Sequence, residues 1–314
     1  MKKYKVVIIG AGNIGALFDQ ADSEEILTHA HAFSADSRFA LKGFFDADFE
    51  RAKVAAERWQ VTAFQTLDEA MEGTDIVCCT VPDKFHFDVL KQIAEYPIKL
   101  VFTEKPFTKT IAQAEEIVKL YQEKQIPILL NYTRRFVTEL IQLKEKIGEY
   151  GSFLRGTGYY GKGILHNGSH MIDFIRYLLG EVSVEKSQNP IFDFEQDDPS
   201  VEAHLTVAGS PIFLHPVDCQ VVTIFELELF FEKARIRLSE GCAYVERFEV
   251  LPSPTYEGYF NYRKVEEYPV KYDSSFRNAV SNIADYLEKK NALICTEQDG
   301  LRVLEICKRL QLCK

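Results

Sequence analysis

This sequence has no apolar run approaching the ~18 residues that a membrane-spanning helix needs. Near its start VVIIG ends at a glycine after only four apolar residues. Lysines precede that run, but polar, glycine-rich sequence follows at once, which is not the pattern of a secretory signal. Positive charge is in deficit. The 37 Lys and Arg against 47 Asp and Glu leave a net charge of −10, which argues against nucleic acid and anionic membrane as partners. Cysteine is scarce and unpatterned: the seven lack CxxC spacing, and Cys78 and Cys79 sit side by side in an apolar run. That fits neither a zinc ribbon nor a disulfide framework, and the expectation is reduced, mostly buried cysteine in a cytoplasmic protein. Internal repeats and low-complexity tracts are missing too.

What is present is 314 residues of which 46% are hydrophobic, enough for two domains. Up to about Asn131 strand and helix patterns alternate. KYKVVIIG, FALKGFFDAD, TDIVCCTVP, KLVFTEKP and PILLN read as strands, with FERAKVAAERW, KFHFDVLKQIAEY and IAQAEEIVKLYQEKQ as helices between them. The strands are continuously apolar, which predicts a parallel sheet covered on both faces. After Asn131 the rhythm changes. IFLHPV, VVTIFELELFF, ARIRLS and YVERFEV are strand-like with no helices between them, so an open, mostly antiparallel sheet is expected. Its exposed face makes a homodimer or homotetramer the expected assembly. The predicted fold is α/β: a dinucleotide-binding domain over residues 1–131, then an α+β domain over 132–314 whose last helix can return to the first.

GAGNIG places Gly10, Gly12 and Gly15 after a strand and at the start of a helix, the spacing of a dinucleotide-binding turn. One glycine makes the turn, the second admits a pyrophosphate to the backbone and the third lets helix pack on strand. Asp46, at the end of the next strand, is placed to hold the adenosine ribose and to repel a 2′-phosphate, so NAD is expected rather than NADP. It lies 31 residues after Gly15, where about 20 is usual, and the insertion QADSEEILTHAHAF accounts for the excess.

Taken in order, GAGNIG, FFDADFERA, TVP followed by His86, TEKP at 103–106 and GSHMID resemble the Gfo/Idh/MocA oxidoreductases. TEQDGLRVLE near the C-terminus is similar to that family's last helix. The resemblance implies a Rossmann domain plus an open-sheet domain, NAD as cofactor, and a polyhydroxy small-molecule substrate such as a sugar, cyclitol or nucleotide sugar. It implies Lys105 and His170 as catalytic residues, with Pro106 beside the lysine. Asn13, Ile14, Thr80, Pro82, His86 and Glu104 join the glycines and Asp46 as candidate cofactor contacts. NYTRRF is similar to a recurrent family segment, which makes Asn131, Tyr132, Arg134 and Arg135 substrate candidates, with Asn167. Chemistry supports the two catalytic roles independently. Hydride leaves a carbon as its hydroxyl loses a proton, so an ammonium can steady the developing alkoxide and an imidazole can take the proton.

GILHNGSHMID holds His166 and His170 four apart, with Asp173 beyond. The family pattern DxGxH has His166 where an aspartate is usual. Three roles are open to it: replacing the base, binding a substrate oxygen, or shaping the pocket. Zinc is not expected, because HNGSH lacks the glutamate of HExxH, no third ligand is evident, and Gly168 argues against one helix through both histidines. His29, His31, His204 and His215 read as capping, packing or solvent-facing, with His29 and His31 also able to lie over a cofactor. Two rival functions stay open: an NAD-using enzyme that cleaves or epimerises glycosides, and an NAD(H)-binding regulator without catalysis.

Overall fold

A computed structural model describes residues 3–312. Its contacts divide the chain into two compact units, residues 1–136 with 272–302, and residues 137–271 with 303–314. The sequence-based boundary at Asn131 thus falls five residues short of Phe136, and the first unit takes back a later segment that the sequence assigns to the second.

In the first unit, β1 (Tyr4–Ile9), β2 (Phe39–Phe45), β3 (Thr62–Phe64), β4 (Ile76–Cys79), β5 (Leu100–Glu104) and β6 (Ile128–Asn131) form one parallel sheet in the order β3-β2-β1-β4-β5-β6. The strands read as continuous apolar runs because both faces are covered. Val6, Val7, Ile8, Ile76, Val77, Val101 and Phe102 are all fully buried. Helices α1 (His29–Ala35), α2 (Phe49–Trp59), α3 (Leu67–Met71), α4 (His86–Ile93) and α5 (Ile111–Lys124) lie between strands. Their starts are set by side chains that accept otherwise unpaired N–H groups. Thr28 accepts from His31, Asp48 from Glu50 and Thr110 from Gln113.

One expectation fails here. The helix predicted after GAGNIG is a single wide turn, Asn13–Leu17, and helix resumes only at α1. Asp19 explains the break. Its buried carboxylate accepts N–H from Leu27 (2.6 Å) and Thr28 (3.2 Å), the Thr28 hydroxyl (2.5 Å) and His31 Nδ1 (2.9 Å), closing the insertion into a loop.

The second unit opens with α6 (Thr138–Lys146), β7 (Phe153–Tyr160) and α7 (Ser169–Leu179). Strands β8 (Val182–Glu195), β9 (Asp198–Val207), β10 (Ser210–Pro216), β11 (Phe225–Phe231), β12 (Ala234–Ser239), β13 (Tyr244–Pro252) and β14 (Phe260–Pro269) follow. They pair with β7 in the order β14-β13-β12-β11-β7-β10-β9-β8, antiparallel throughout except between β7 and β10. The open, mostly antiparallel sheet is as predicted. Strand period places its core: Leu227, Leu229, Ile236 and Leu238 are buried, while Glu226, Glu228, Arg235 and Arg237 alternate onto the other face.

Helix α8 (Ser274–Leu287) belongs to the first unit, where Asn278 donates to Phe136 O at 2.8 Å and Asp285 pairs with Arg38 at 3.1 Å. Helix α9 (Glu297–Leu312) is shared, its first turns counted with the first unit and the rest with the second. Among the described residues no helix is long and apolar enough to cross a membrane. Burial pushes the Cys78 and Cys79 thiols up, that of Cys79 to about 12, so both are inert core residues. Cys313 lies outside the described residues.

Candidate functional site

In the first unit the strand order reverses direction between β1 and β4, and a crevice opens there at the carboxyl ends of the strands. Such a switch point is where ligands bind in open α/β sheets. Gly10, Gly12, Asn13 and Ile14 line it after β1, and Asp46 after β2. Thr80 and Pro82 follow β4, Glu104 closes β5 with Lys105 next to it, and Phe18, Arg51, Val81 and Asp83 also line it.

Packing explains the glycines. Gly10 has φ +100°, and a Cβ there would stand 2.7–2.8 Å from backbone atoms of Thr80 and Val81. At Gly15 a Cβ would lie 2.6 Å from Gly10 O. Gly12 differs, because a Cβ there would meet nothing within 4 Å. Its lack of a side chain serves no contact inside the protein and leaves the crevice clear for a ligand to reach the backbone. Asp46 is tied to the same turn: Oδ2 accepts the Ala11 N–H at 2.8 Å and Oδ1 that of Asp48 at 2.9 Å. Thr80 donates its hydroxyl to Gly10 O at 2.6 Å, so it holds the turn as well as lining the crevice.

Glu104 carries a network that the sequence did not reveal. His29 Nε2 and Asn131 Nδ2 both donate to its Oε1 at 2.7 Å. His29 is fully buried, edge-on to Phe102 and Phe276, and its Nδ1 has no hydrogen-bond partner. Burial alone would raise the Glu104 carboxyl. The hydrogen bonds from His29 and Asn131, with the Lys105 charge, outweigh it and hold the group below the usual carboxylate range. Asn131, expected at the substrate, is thus engaged with Glu104. The only sequence signal for His29 was its place in the insertion.

His86 is buried behind the crevice rather than in its lining. Its two ring nitrogens face Pro106 O (2.7 Å) and Val81 O (2.9 Å), joining the loops after β5 and β4. Arg135 is also withdrawn from solvent. Its guanidinium donates to Ile294 O at 2.9 Å and pairs with Asp299 at 3.0 Å. Arg134 is half-exposed, 5.9 Å from the Tyr272 ring centre, and Tyr132 is buried.

In the second unit His166 lies on a wide helical turn, Gly163–Gly168, that runs directly into α7, where His170 is in the first turn. The expected interruption at Gly168 does not occur: its φ −59° and ψ −31° are helical. The glycine is there for space, since a Cβ would press to 2.6 Å from Ile164 and 2.9 Å from Tyr160. Both histidines are half-exposed. Asn167 donates to Gly161 O at 3.0 Å, which fixes the turn that carries them. Among the described residues no group of three or more His, Cys, Asp or Glu is gathered for a metal.

A 321456 parallel sheet with a glycine turn at its switch point, joined to an open antiparallel sheet, defines a two-domain protein of the dinucleotide-binding class. Residues 4–132 match the family model described as "Oxidoreductase family, NAD-binding Rossmann fold". That model is the one of the Gfo/Idh/MocA family, and its match covers the dinucleotide-binding part of the chain. It is 27% identical over 128 residues to UDP-N-acetylglucosamine 3-dehydrogenase of Acidithiobacillus ferrooxidans, covering 41% of this chain and 36% of that one. It is 26% identical over 202 residues to the rhizopine catabolism protein MocA of Rhizobium meliloti, covering 58% and 59%. The chain thus spans less than two thirds of the length of these curated relatives. Solved structures share the fold over nearly the whole chain. That of the A. ferrooxidans enzyme GnnA has a TM-score of 0.76 at 17% identity, covering 99% and 98%. A super-repressor mutant of Gal80p from Saccharomyces cerevisiae has a TM-score of 0.78 at 15% identity, covering 98% and 95%.

Proposed function

We propose that this protein is an NAD(P)-dependent oxidoreductase acting on a hydroxyl or keto group of a sugar, cyclitol or nucleotide sugar. The observation that carries the reading is that Lys105 lines the same crevice as the glycine turn and Asp46. The residues fit a dinucleotide: Gly12 leaves open room at the turn, and Asp46 offers a carboxylate to ribose hydroxyls, which favours NAD over NADP. When bound, the nicotinamide supplies the hydride acceptor or donor. The Lys105 ammonium steadies the charge that develops on the substrate oxygen, and Glu104, kept ionised by His29 and Asn131, holds a negative charge beside it. His170 takes or returns the hydroxyl proton, with His166 assisting. Asn131, Tyr132, Arg134, Arg135 and Asn167 are the substrate candidates. The dehydrogenase and the rhizopine protein among the relatives support the substrate class.

A regulator without catalysis is the second reading, favoured by His166 in place of the family aspartate and by the fold shared with Gal80p. One experiment separates them. NADH and NADPH are titrated by fluorescence, and a sugar and cyclitol panel is followed by NADH absorbance. The expected outcome is tighter NADH than NADPH binding and turnover of a panel member. Lys105→Ala then lowers kcat by ~10²-fold with nucleotide binding unchanged. Tight NADH binding without turnover of any polyol would favour the regulator, and a near-normal kcat for Lys105→Ala would remove the lysine from the mechanism.

A further inference from the structure

The second unit spends three buried polar side chains on one short piece of backbone. Asp193 Oδ2 accepts the N–H of Lys162 at 2.7 Å and of Cys219 at 3.1 Å, and its Oδ1 accepts the Ser200 hydroxyl at 2.8 Å. Ser200 Oγ in turn accepts the Gly163 N–H at 2.9 Å. Asp198 accepts from Leu165 N at 2.8 Å and His166 N at 2.9 Å. Asp193, Asp198 and Ser200 are 3%, 5% and 0% exposed. The turn they hold is Gly161-Lys162-Gly163, and both glycines are forced. A Cβ on Gly161 would stand 2.3 Å from Val217 O, and one on Gly163, at φ +76°, would stand 2.1 Å from Asp198.

Between them Lys162 adopts φ +67°, ψ +47°, the left-handed region. A side chain there strains the backbone in a way that glycine would not. What the fold gets back is small. The ammonium lies 5.3 Å from the centre of the Phe194 ring, a weak contact where exposed to water. Lys162 makes no ion pair among the described residues, and the two acids behind the turn are occupied by backbone donors. Stability therefore does not explain a lysine at this position. The His166 imidazole approaches the same ring at 4.7 Å, and Phe194 is 40% exposed. A cation without a carboxylate partner, an imidazole and an exposed aromatic ring thus meet on a rigid backbone, in a chain whose net charge is −10.

We propose that Lys162, His166 and Phe194 form a subsite for a sugar that carries an anionic group, a phosphate or a carboxylate. The ammonium pairs with the anion, and the Phe194 ring covers the apolar C–H face of the sugar. This deepens the oxidoreductase reading and rests on it, narrowing polyhydroxy substrates to charged ones.

The test is calorimetric titration of the full chain, with and without NADH, using glucose, glucose 6-phosphate, glucuronate and UDP-N-acetylglucosamine as probes. At least one anionic probe is expected to bind about tenfold or more tightly than glucose. Whichever does so separates a phosphate monoester, a carboxylate and a diphosphate as the source of the charge. Lys162→Gly should abolish that advantage, leave glucose unchanged and melt no lower than the parent, because it relieves the strained φ. Lys162→Met, which keeps the strain and loses the charge, should bind like Lys162→Gly. Anionic probes no tighter than glucose, or an advantage that survives both substitutions, would overturn the subsite. Turnover of the sugar and cyclitol panel, followed by NADH absorbance with the parent and with Lys162→Met, reports on the oxidoreductase reading separately from probe binding, so the two failures are distinguishable.

Discussion

Each unit has one glycine-rich turn at the end of a strand, β1 in the first and β7 in the second, and each leads into one wide helical turn. Carboxylates hold both turns by their peptide N–H groups: Asp46 at Ala11, and Asp193 and Asp198 at Lys162, Leu165 and His166. They part at the position facing outward. In the first turn that position is Gly12, bare and with open space before it. In the second it is Lys162, kept in a conformation that glycine would adopt without cost. A ligand that comes to peptide N–H groups needs side chains taken away, and one read by charge and ring needs them presented. Under the proposed reading, similar backbone devices would serve a cofactor in one unit and a substrate in the other.

The strongest way to break this comparison is to put a methyl on the glycines that shape the turns. Gly10→Ala would press a Cβ against backbone of Thr80 and Val81 at positive φ, and backbone in a sheet cannot step aside. We expect a loss of about 3 kcal/mol or more in denaturant unfolding. Gly163→Ala meets the Asp198 side chain, which can turn away at the cost of its bonds to Leu165 and His166, and also the Asp198 carbonyl at 2.8 Å, so a loss of about 2 kcal/mol or more is expected. If both variants unfold within 1 kcal/mol of the parent, the turns are not constrained as described.

How much of this was legible in the sequence follows from what each signal depends on. The parallel sheet was readable because strands buried on both faces must be apolar at every position, as in VVII and IVCC. Strand β7 was not, because FLRGTGYY carries two glycines, and β14 was not, because FNYRKVEEYP is exposed along almost its whole length and has no buried face to leave a period. The glycine turn was readable because its spacing is local and Asp46 because it ends the next strand, whereas Lys105 was suggested by the resemblance of TEKP to the family. The His29–Glu104 contact joins residues 75 apart, and the Asp193 and Asp198 brace joins a hairpin to a turn some 30 residues earlier. Local pattern carries no trace of either. Gly168 misled for a related reason: a glycine can mark a helix break or a close approach, and only packing tells which.

His29 gives a smaller effect that separates charge from bulk. His29→Phe fills the ring's space but removes one donor from Glu104, so burial should then dominate and raise that carboxyl. In the parent the Glu104 pKa is depressed. Its stabilising contribution is therefore present above the ordinary carboxylate range and is lost as pH falls through the depressed value. The stability gap between parent and variant should be about 1–3 kcal/mol at neutral pH and should close in acid. Thermal melts from pH 7 down to pH 3 measure it. A gap that stays constant with pH would mean that His29 acts by packing against Phe102 and Phe276 and leaves the charge of Glu104 untouched.

The smallest expected change in stability tests the sharpest part of the comparison. Gly12 sits at φ −83°, ψ −168°, a conformation open to any residue, and a methyl there touches nothing. Gly12→Ala should therefore melt with the parent or slightly above it, since alanine lowers the entropy of the unfolded chain by ~0.4–1 kcal/mol. If the space before Gly12 is where a pyrophosphate meets the turn, the same methyl blocks that approach, and NADH affinity should fall about tenfold or more. The two readouts must move apart: an unchanged melt with weakened binding. NADH binding equal to the parent would show that the open position in the first turn is not reserved for the cofactor, and the contrast with Lys162 would lose its ground.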